Sequence, residues 1–550
     1  MAVLLNILFG PYITPAALVL LPILVTSWFF RQSSLTESTE APRLAETVPF
    51  VSNAWQFMTN KRQFINRVRD ALRTSPVIRC RLGPMDLHLV TGGSNVSAIF
   101  RSSFISDPWV LRILGSTGGY ATSELAKFAE DDTGSATLPR RGSSGPVAFE
   151  KRIWYGLHRM EENGLINFRA VDAFVITYQE LFLPCLTRFP VGKWVADVRV
   201  YEFLKLNMAS AATQWMMGSK VLDVNPDFIE AFWDYEQFGE SLSFGLPKCL
   251  TRKAVTARER FRLMCLKWYK AIDQKLDMHD ASAAGEPSWD PIIGSRISRE
   301  MIKWAKAFEF SDDSLGAAYA LLLFGLHANS IPVCAWVILE IVKDPALLCT
   351  IREEISQAQI TGGPQAGAFN YQKLASMPLL QSIYTEVLRV HISILVTRIA
   401  IEDVTLGGYT IPRGSTVQAP TEVAHLDEEI WGVPGHPASD FWAYRHVKEV
   451  MKSNSEGETA TRFEFSMGGP ANCFFPFGGG TSICAGRNIA KPEVLLTVAM
   501  ILSRFEVEFV RWENLDGSVS GRPAQNNAGY ANAVATPPDR EMVVKWRRMW

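Results

Sequence analysis

A single cysteine, Cys484, lies in a glycine-dense stretch that runs from Phe475 to Glu493 (FPFGGGTSICAGRNIAKPE). The glycines at 478–480 and 486 remove side-chain bulk around the cysteine and permit positive φ angles. Phe477 stands seven residues before the cysteine, where its ring can cover one side of a flat ligand. The residues after the cysteine predict the start of a helix, whose N–H groups and positive dipole end would favour a sulfur anion. These features suit a thiolate that ligates iron.

The same stretch resembles the haem-binding signature of the cytochrome P450 family, F-x-x-G-x-x-x-C-x-G. Its fixed positions are held here by Phe477, Gly480, Cys484 and Gly486. The resemblance implies that Cys484 ligates the iron of haem (iron protoporphyrin IX) and that the other three residues bind this cofactor. Ser482 departs from the pattern, because the family usually has an arginine or histidine there that bonds a haem propionate. A glycine-rich loop around a structural cysteine is the alternative interpretation.

Three further residues match positions through which the family holds the haem propionates. Arg398, in ILVTRIA, matches a strand arginine that pairs with a propionate; a surface charge on an edge strand is the alternative. Trp154 and His158 stand four residues apart in RIWYGLHRM, where the family often has Trp-x-x-x-Arg. The resemblance implies that His158 replaces the arginine, and a plain helix surface is the alternative.

Glu386 and Arg389 are three residues apart on a predicted helix, so they share a face and can pair. A weak, solvated surface pair is the alternative. Their segment, TEVLRV, resembles the family's E-x-x-R motif. The later segment FWAYR resembles the one whose arginine, here Arg445, completes a buried network, although Ala443 replaces the usual proline. The resemblance implies that these residues brace the cysteine loop and do no chemistry.

The segment FGLHANSIP (324–332) lies in a long apolar stretch that predicts a helix through the centre of the protein. The family usually has an acid followed by threonine there, and the pair helps to deliver protons. In this chain Ala328 replaces the acid and Asn329 replaces the threonine. Asn329 donates hydrogen bonds but cannot relay a proton as an acid does, and Ser330 supplies a neighbouring hydroxyl. We expect Asn329 and Ser330 to be the catalytic residues of this helix, and His327 to be a core residue.

The Ala-Asn-Ser-x-Pro run and the downstream VTRIAIEDVTLGGYTIPRGSTV resemble the branch that holds bile-acid sterol hydroxylases and prostacyclin synthase. The resemblance implies a monooxygenase that oxidises a lipophilic small molecule, such as a terpenoid, sterol or other specialised metabolite. It would use O2 and electrons from NADPH-cytochrome P450 reductase. The alternative is a haem-thiolate isomerase or dehydratase that needs neither O2 nor NADPH, because the branch includes an isomerase and Asn329 replaces the threonine.

Residues 1–30 carry no charged side chain, and their apolar run ends at Arg31. The run is long enough for the about 20 residues that span a bilayer. We expect residues 1–31 to form a transmembrane anchor and residues 32–50, which contain two prolines, to form a linker. A cleaved signal peptide is the alternative, but a basic start and a clear cleavage site are lacking.

Basic residues follow the apolar run, namely Arg31, Lys61 and Arg62, and they favour a cytosolic position for the catalytic domain, residues 51–550. Together with the resemblance, this predicts a single-pass protein of the endoplasmic reticulum membrane. The net charge of −1 gives no sequence-wide attraction to nucleic acid. The 8 cysteines are scattered, which argues against a zinc site and against a disulfide framework.

The predicted fold class is mainly α with small β-sheets, which is what the P450 fold requires. A polar stretch just before the cysteine loop, residues 451–472, is predicted to be an insertion. The main predicted elements are two strands in 77–90, helices over 311–344 and 369–390, a small sheet in 404–419 and a strand at 542–546.

Overall fold

The structure is a computed structural model that describes residues 40–550 except 147, 244–250, 274–287, 364–365, 454–458, 471 and 531–533. The predicted anchor and residues 32–39 of the predicted linker therefore lie outside the described residues. The chain divides into two compact units, which are residues up to 105 with 395–423, and residues 106–394 with 424–550. The start of the catalytic domain at residue 51 stays a prediction.

Helices make up most of the described chain, as predicted. They are α1 (Ser52–Thr59), α2 (Lys61–Thr74), α3 (Gly93–Ile99), α4 (Asp107–Ile113), α5 (Thr122–Glu130), α6 (Ile153–Glu161), α7 (Phe168–Thr187), α8 (Val200–Met217), α9 (Lys220–Val224), α10 (Phe228–Glu236), α11 (Gly239–Ser243), α12 (Arg252–Asp273), α13 (Arg296–Ala307), α14 (Asp312–Val342), α15 (Pro345–Ser356), α16 (Tyr371–Ser376), α17 (Pro378–His391), α18 (Thr421–His425), α19 (Glu428–Trp431) and α20 (Arg487–Arg504).

The strands form small sheets. They are β1 (Val77–Leu82), β2 (Met85–Val90), β3 (Phe104–Ile105), β4 (Trp194–Arg199), β5 (Trp289–Asp290), β6 (Gly294–Ser295), β7 (Leu395–Ala400), β8 (Val404–Leu406), β9 (Tyr409–Ile411), β10 (Thr416–Pro420), β11 (Val447–Ser453), β12 (Thr459–Phe465), β13 (Phe505–Asn514), β14 (Val519–Ser520) and β15 (Arg540–Arg548).

The smaller unit is built on a five-stranded sheet in the order β1-β2-β10-β7-β3. The β1–β2 hairpin turns at Gly83, whose φ of 59° is in the left-handed region that glycine adopts without strain. The predicted sheet in 404–419 is divided, because β8 and β9 pair only with each other while β10 joins the larger sheet. Arg398 lies on β7, opposite Val417 of β10.

The larger unit is organised around α14, which packs against α8, α12, α17 and α20. Ser311 caps this helix by accepting a hydrogen bond from the N–H of Ser314, and Asp312 and Asp313 lie in its first turn. α14 is the one described helix long and apolar enough to cross a membrane, and it is mostly buried in protein. Such a helix, apolar on all sides, belongs in a protein core.

One sequence prediction about secondary structure needs correction. The helix predicted over 369–390 is two helices, because the chain bends at Met377 and Pro378 begins α17. Proline suits a first helical position, where its missing N–H would have no partner in the helix. The stretch before the cysteine loop contains a hairpin, in which β11 pairs with β12 along seven residues of each strand.

Candidate active site

The loop that carries Cys484 is folded back on itself just before α20. The N–H of Cys484 donates to the carbonyl oxygen of Phe477 over 3.0 Å. Gly478 and Gly480 have φ angles of 70° and 69°, which side chains with a Cβ atom rarely adopt. The glycines therefore allow the fold of this loop, and Cys484 is solvent-exposed at its end.

The chemical state of the Cys484 sulfur reflects opposing effects. Although the residue is exposed, the protein atoms packed around its sulfur raise the pKa of the thiol by desolvation. The backbone N–H groups of Gly486 and Arg487, at the start of α20, lower this pKa, whereas the Glu161 carboxyl raises it. The N–H groups are those predicted to stabilise a sulfur anion.

Gly325 marks an open face in the middle of the central helix. Beyond its first two residues, α14 has one exposed residue, Gly325, and the structure describes the whole helix. A Cβ atom built on Gly325 would have no protein atom within 4 Å. Since α14 packs on α20, the helix that follows the cysteine, the larger unit has open space beside its core helix.

The two predicted catalytic residues lie one helical turn from this open face. Asn329 is half-buried; its Oδ1 accepts from the N–H of Ala535 over 3.0 Å, and its Nδ2 is 3.5 Å from the carbonyl oxygen of Gly325. Ser330 is buried, and its hydroxyl donates to the carbonyl oxygen of Leu326. The polar side chains of this segment are therefore held in defined directions.

His327 is a core residue, as predicted. Its Nε2 lies 2.8 Å from the hydroxyl of Thr213, and its ring makes an edge contact with Phe232. Burial lowers the pKa of His327 to about 3, so the imidazole is neutral.

Glu493 is a buried acid that the sequence did not single out as functional. The residue is fully buried on α20, and neither carboxyl oxygen has a hydrogen-bond partner among the described residues. Burial raises the pKa of Glu493 to about 8, and the nearby Ser330 hydroxyl counteracts a part of this rise. Glu493 is therefore a neutral acid at pH 7, beside one of the two predicted catalytic residues.

The residues predicted to bind propionates lie in different places. Trp154 is buried on α6, and its indole N–H donates to the carbonyl oxygen of Phe128 over 3.0 Å. His158 faces Glu162, with Nε2 3.5 Å from a carboxylate oxygen. Arg398, in the other unit, is buried, with its Nη1 donating to the Thr397 carbonyl oxygen.

Ser482, at the position where the signature usually has a basic residue, is exposed in the cysteine loop. Its hydroxyl lies 2.6 Å from the hydroxyl of Ser106, which immediately precedes α4. The serine thus joins the cysteine loop to another segment of the larger unit, a contact for which a neutral hydroxyl is sufficient.

Glu386, Arg389 and Arg445 form the predicted buried network. Arg389 donates from Nε and Nη2 to the two carboxylate oxygens of Glu386, over 2.8 and 2.7 Å, and Arg445 donates from Nε over 2.7 Å. Burial alone would raise the pKa of Glu386, but bonds from Arg389, His446 and Arg445 lower it to about 2. The alternative of a solvated surface pair is therefore wrong.

The network is connected to the cysteine loop through His425. Arg389 donates from Nη1 to the carbonyl oxygen of His425 over 2.8 Å. The His425 Nε2 accepts from the N–H of Phe475, the residue at which the glycine-dense stretch begins, over 3.0 Å. Burial and Arg389 lower the pKa of His425 to about 3, so the ring is neutral, and the N–H of Phe475 assigns the acceptor role to Nε2. No local signal in the sequence singles out His425, because its partners lie far along the chain.

Comparisons with known proteins agree with this geometry. Residues 193–518 match the family described as cytochrome P450. The chain belongs to the cytochrome P450 family. It is 38% identical to cytochrome P450 monooxygenase calL of Penicillium decumbens over 539 residues, and this alignment covers 97% of each chain. It is 26% identical to cholesterol 7-alpha-monooxygenase of Cricetulus griseus over 506 residues, and this alignment covers 88% of this chain and 90% of the relative.

A solved structure shares the fold. The retinoic acid-bound cyanobacterial CYP120A1 superimposes with a TM-score of 0.63 at 19% identity, covering 93% of this P450 and 100% of that chain. The comparisons confirm the predicted family, fold class, haem-thiolate cofactor and enzyme class, a cytochrome P450 monooxygenase. The residues present fit haem, because Cys484, a solvent-exposed residue, comes just before a helix that packs on α14, where Gly325 opens a face.

Removal of the Glu386 carboxylate is expected to disrupt this P450's cysteine loop. In Glu386→Ala, Arg389 and Arg445 keep buried charges without their carboxylate, a loss that costs about 3–5 kcal/mol. We expect poor haem incorporation rather than a folded but slow enzyme, measured as haem per protein and as the urea midpoint of unfolding. A fully haem-loaded variant with parental stability would contradict the bracing role.

Glu386→Gln is the matched control for charge, since its amide keeps the shape. Because the pKa of Glu386 is lowered from 4.5 to about 2, its contribution to stability is complete above pH 4.5 and lost as the pH falls through about 2. The parent should therefore lose stability over this acid range more steeply than Glu386→Gln.

Proposed function

We propose that this P450 hydroxylates a lipophilic small molecule, with Cys484 as the iron ligand, O2 as the oxidant and electrons from NADPH-cytochrome P450 reductase. The observation that carries the proposal is Cys484, a solvent-exposed residue on a glycine-shaped loop, together with the open face at Gly325 on α14. When bound, a haem with a thiolate ligand activates O2 and transfers one oxygen atom to the substrate.

The loop residues around the sulfur have separate roles in this proposal. Phe477, Gly480 and Gly486 would bind the haem, and the N–H groups of Gly486 and Arg487 would keep the sulfur anionic. The loop keeps its fold through the bond from the Cys484 N–H to the Phe477 carbonyl oxygen.

Arg398, Trp154 and His158 are proposed to hold the haem propionates. Arg398 supplies the charge suited to a carboxylate. Trp154 would have to exchange the Phe128 carbonyl for a propionate, and His158 would have to leave Glu162.

The proposed substrate is a terpenoid, sterol or other specialised metabolite. Support comes from a relative named for cholesterol, cholesterol 7-alpha-monooxygenase, which spans most of both chains. A fungal P450 monooxygenase spans nearly the whole chain at higher identity.

Proton delivery is proposed to pass through the Ser330 hydroxyl, which adjoins Asn329 on α14. Glu493 supports this proposal, because burial raises the pKa of this acid to about 8 and its carboxyl lies beside the Ser330 hydroxyl. A hydroxyl can accept the proton of the acid while it releases its own, and the Ser330 O–H would have to turn from the carbonyl oxygen of Leu326 towards the haem to do so. The segment thus has an acid and a hydroxyl, although Ala328 and Asn329 replace the usual acid and threonine.

Cys484→Ser is expected to abolish the red-shifted Soret band of the reduced carbon monoxide complex, because an alcohol is a much poorer anionic donor than a thiol. The band is measured by difference spectroscopy on the purified full-length protein. Cys473→Ser, which changes a buried cysteine before the loop, is the control and should keep the band. If Cys484→Ser kept the band and Cys473→Ser lost it, the assignment of the ligand would be wrong.

Ser330→Ala and Glu493→Gln are each expected to uncouple NADPH consumption from product, with a rise in released hydrogen peroxide. Loss of a positioned acid or relay group typically costs roughly 10²–10⁴-fold in proton transfer. Ser298→Ala is the control, since the buried Ser298 hydroxyl on α13 lies 2.8 Å from the hydroxyl of Tyr319, and its loss should leave coupling unchanged.

The same preparations separate the two reaction classes. Product formed by the parent without O2 and NADPH would support the isomerase or dehydratase alternative and remove the need for proton delivery. Parental coupling in both variants would leave this part of α14 with a packing role.

Residues 1–31 are proposed to anchor the protein in the endoplasmic reticulum membrane, with the catalytic domain in the cytosol. Their apolar run is long enough to span a bilayer, and basic residues follow it. Deletion of residues 1–31 should move most of the protein from the membrane pellet to the soluble fraction. A deletion variant that pellets as completely as the parent would show that other surfaces hold the membrane.

A further inference from the structure

Asn329 connects two distant parts of the larger unit. Its Oδ1 accepts from the N–H of Ala535, which is 206 residues further along the chain. Its Nδ2 is directed at the carbonyl oxygen of Gly325, one turn earlier on α14, at 3.5 Å. The side chain therefore lies between the Ala535 backbone and the open face of the central helix.

The direction of the Asn329 amide is fixed by the chemistry of its two neighbours. The backbone N–H of Ala535 can only donate, and the carbonyl oxygen of Gly325 can only accept. A reversed amide would place two donors together on one side and two acceptors together on the other. Since amide orientation is decided by such partners, the oxygen belongs on the Ala535 side and the N–H2 group on the Gly325 side.

The chain at Ala535 and Thr536 is held from other directions as well. The N–H of Thr536 donates to the carbonyl oxygen of His391 at the end of α17 over 2.9 Å. The Trp336 indole N–H donates to the carbonyl oxygen of Thr536 over 2.8 Å, and the Trp336 and His391 rings stack 3.9 Å apart. These contacts attach Thr536, whereas Asn329 attaches the preceding residue next to Gly325.

We propose that Asn329 is a positioning residue, whose amide oxygen clamps the backbone of Ala535 to α14 beside the open face at Gly325. Asn329, at the usual threonine position, then acts through its amide oxygen, an acceptor that points to Ala535 and away from the open face. Threonine, which is shorter, would not reach the same N–H with a carbonyl-type acceptor. This inference refines the proposed function, but the clamp is a property of the folded chain and does not depend on the reaction.

Two substitutions separate the role of the Asn329 amide oxygen, the clamp, from that of its N–H2 group, the donor. Asn329→Asp keeps an oxygen for the N–H of Ala535 and loses the N–H2 group, whereas Asn329→Leu has a similar size and loses both. The test is hydrogen–deuterium exchange on the haem-loaded full-length protein, followed in peptides that contain Ala535. We expect exchange at Ala535 to be roughly five- to tenfold faster in Asn329→Leu and close to parental in Asn329→Asp.

A matched control is Asn207→Leu on α8, because the Asn207 side chain also bonds a carbonyl one turn earlier, that of Phe203. This variant should leave exchange at Ala535 unchanged. Parental exchange in Asn329→Leu, or equal acceleration in Asn329→Leu and Asn329→Asp, would overturn the clamp.

Coupling of NADPH to product gives the second readout. If the clamp is the role of Asn329, coupling should follow the exchange data, so that Asn329→Asp resembles the parent and Asn329→Leu does not. Coupling lost in both variants, with exchange changed only in Asn329→Leu, would make Asn329 a donor for the reaction and overturn the assignment as a positioning residue alone. A protein without monooxygenase activity would contradict the proposed function and leave the exchange result valid.

Discussion

Burial of the Glu386 carboxylate between two arginines is the interaction on which the site depends. An ionised carboxylate inside a protein is costly unless charges and hydrogen bonds compensate it, and here Arg389 and Arg445 supply both. Because the guanidinium groups also donate to backbone carbonyls, the network fixes chain segments as well as charges. Arg389 holds His425, and His425 holds the N–H of Phe475 at the start of the cysteine loop. The position of the sulfur thus depends on a group that does no chemistry.

The central helix faces a different constraint. A helix buried on nearly all sides gains stability from apolar packing, and each polar side chain in it needs a partner. His327 meets this need with Thr213, Ser330 with the carbonyl of Leu326, and Asn329 with the backbone of Ala535. Gly325 departs from the pattern in another way, since it has no side chain and lies exposed in the middle of the helix.

Prediction from the sequence succeeded where the determining residues are close together in the chain. The cysteine loop follows from its glycines, the central helix α14 from its long apolar stretch, and the pair of Glu386 and Arg389 from their spacing on one helix. It failed where a local pattern was interrupted, as at Pro378, which divides one predicted helix into two. The β11–β12 hairpin was read only as an insertion, because its composition gives little sign of strands.

The functional contacts that the sequence did not predict are those between distant segments. His425 and Phe475, Asn329 and Ala535, and Ser330 and Glu493 lie 50, 206 and 163 residues apart. Nothing in a local pattern gives such pairs, since the tertiary fold alone brings them together. Glu493 shows the consequence most clearly: the sequence places it in the helix after the cysteine, and its chemistry follows from the burial that keeps it protonated. An asparagine at the usual threonine position is thus compatible with an acid and a hydroxyl at this site, because the acid belongs to another helix.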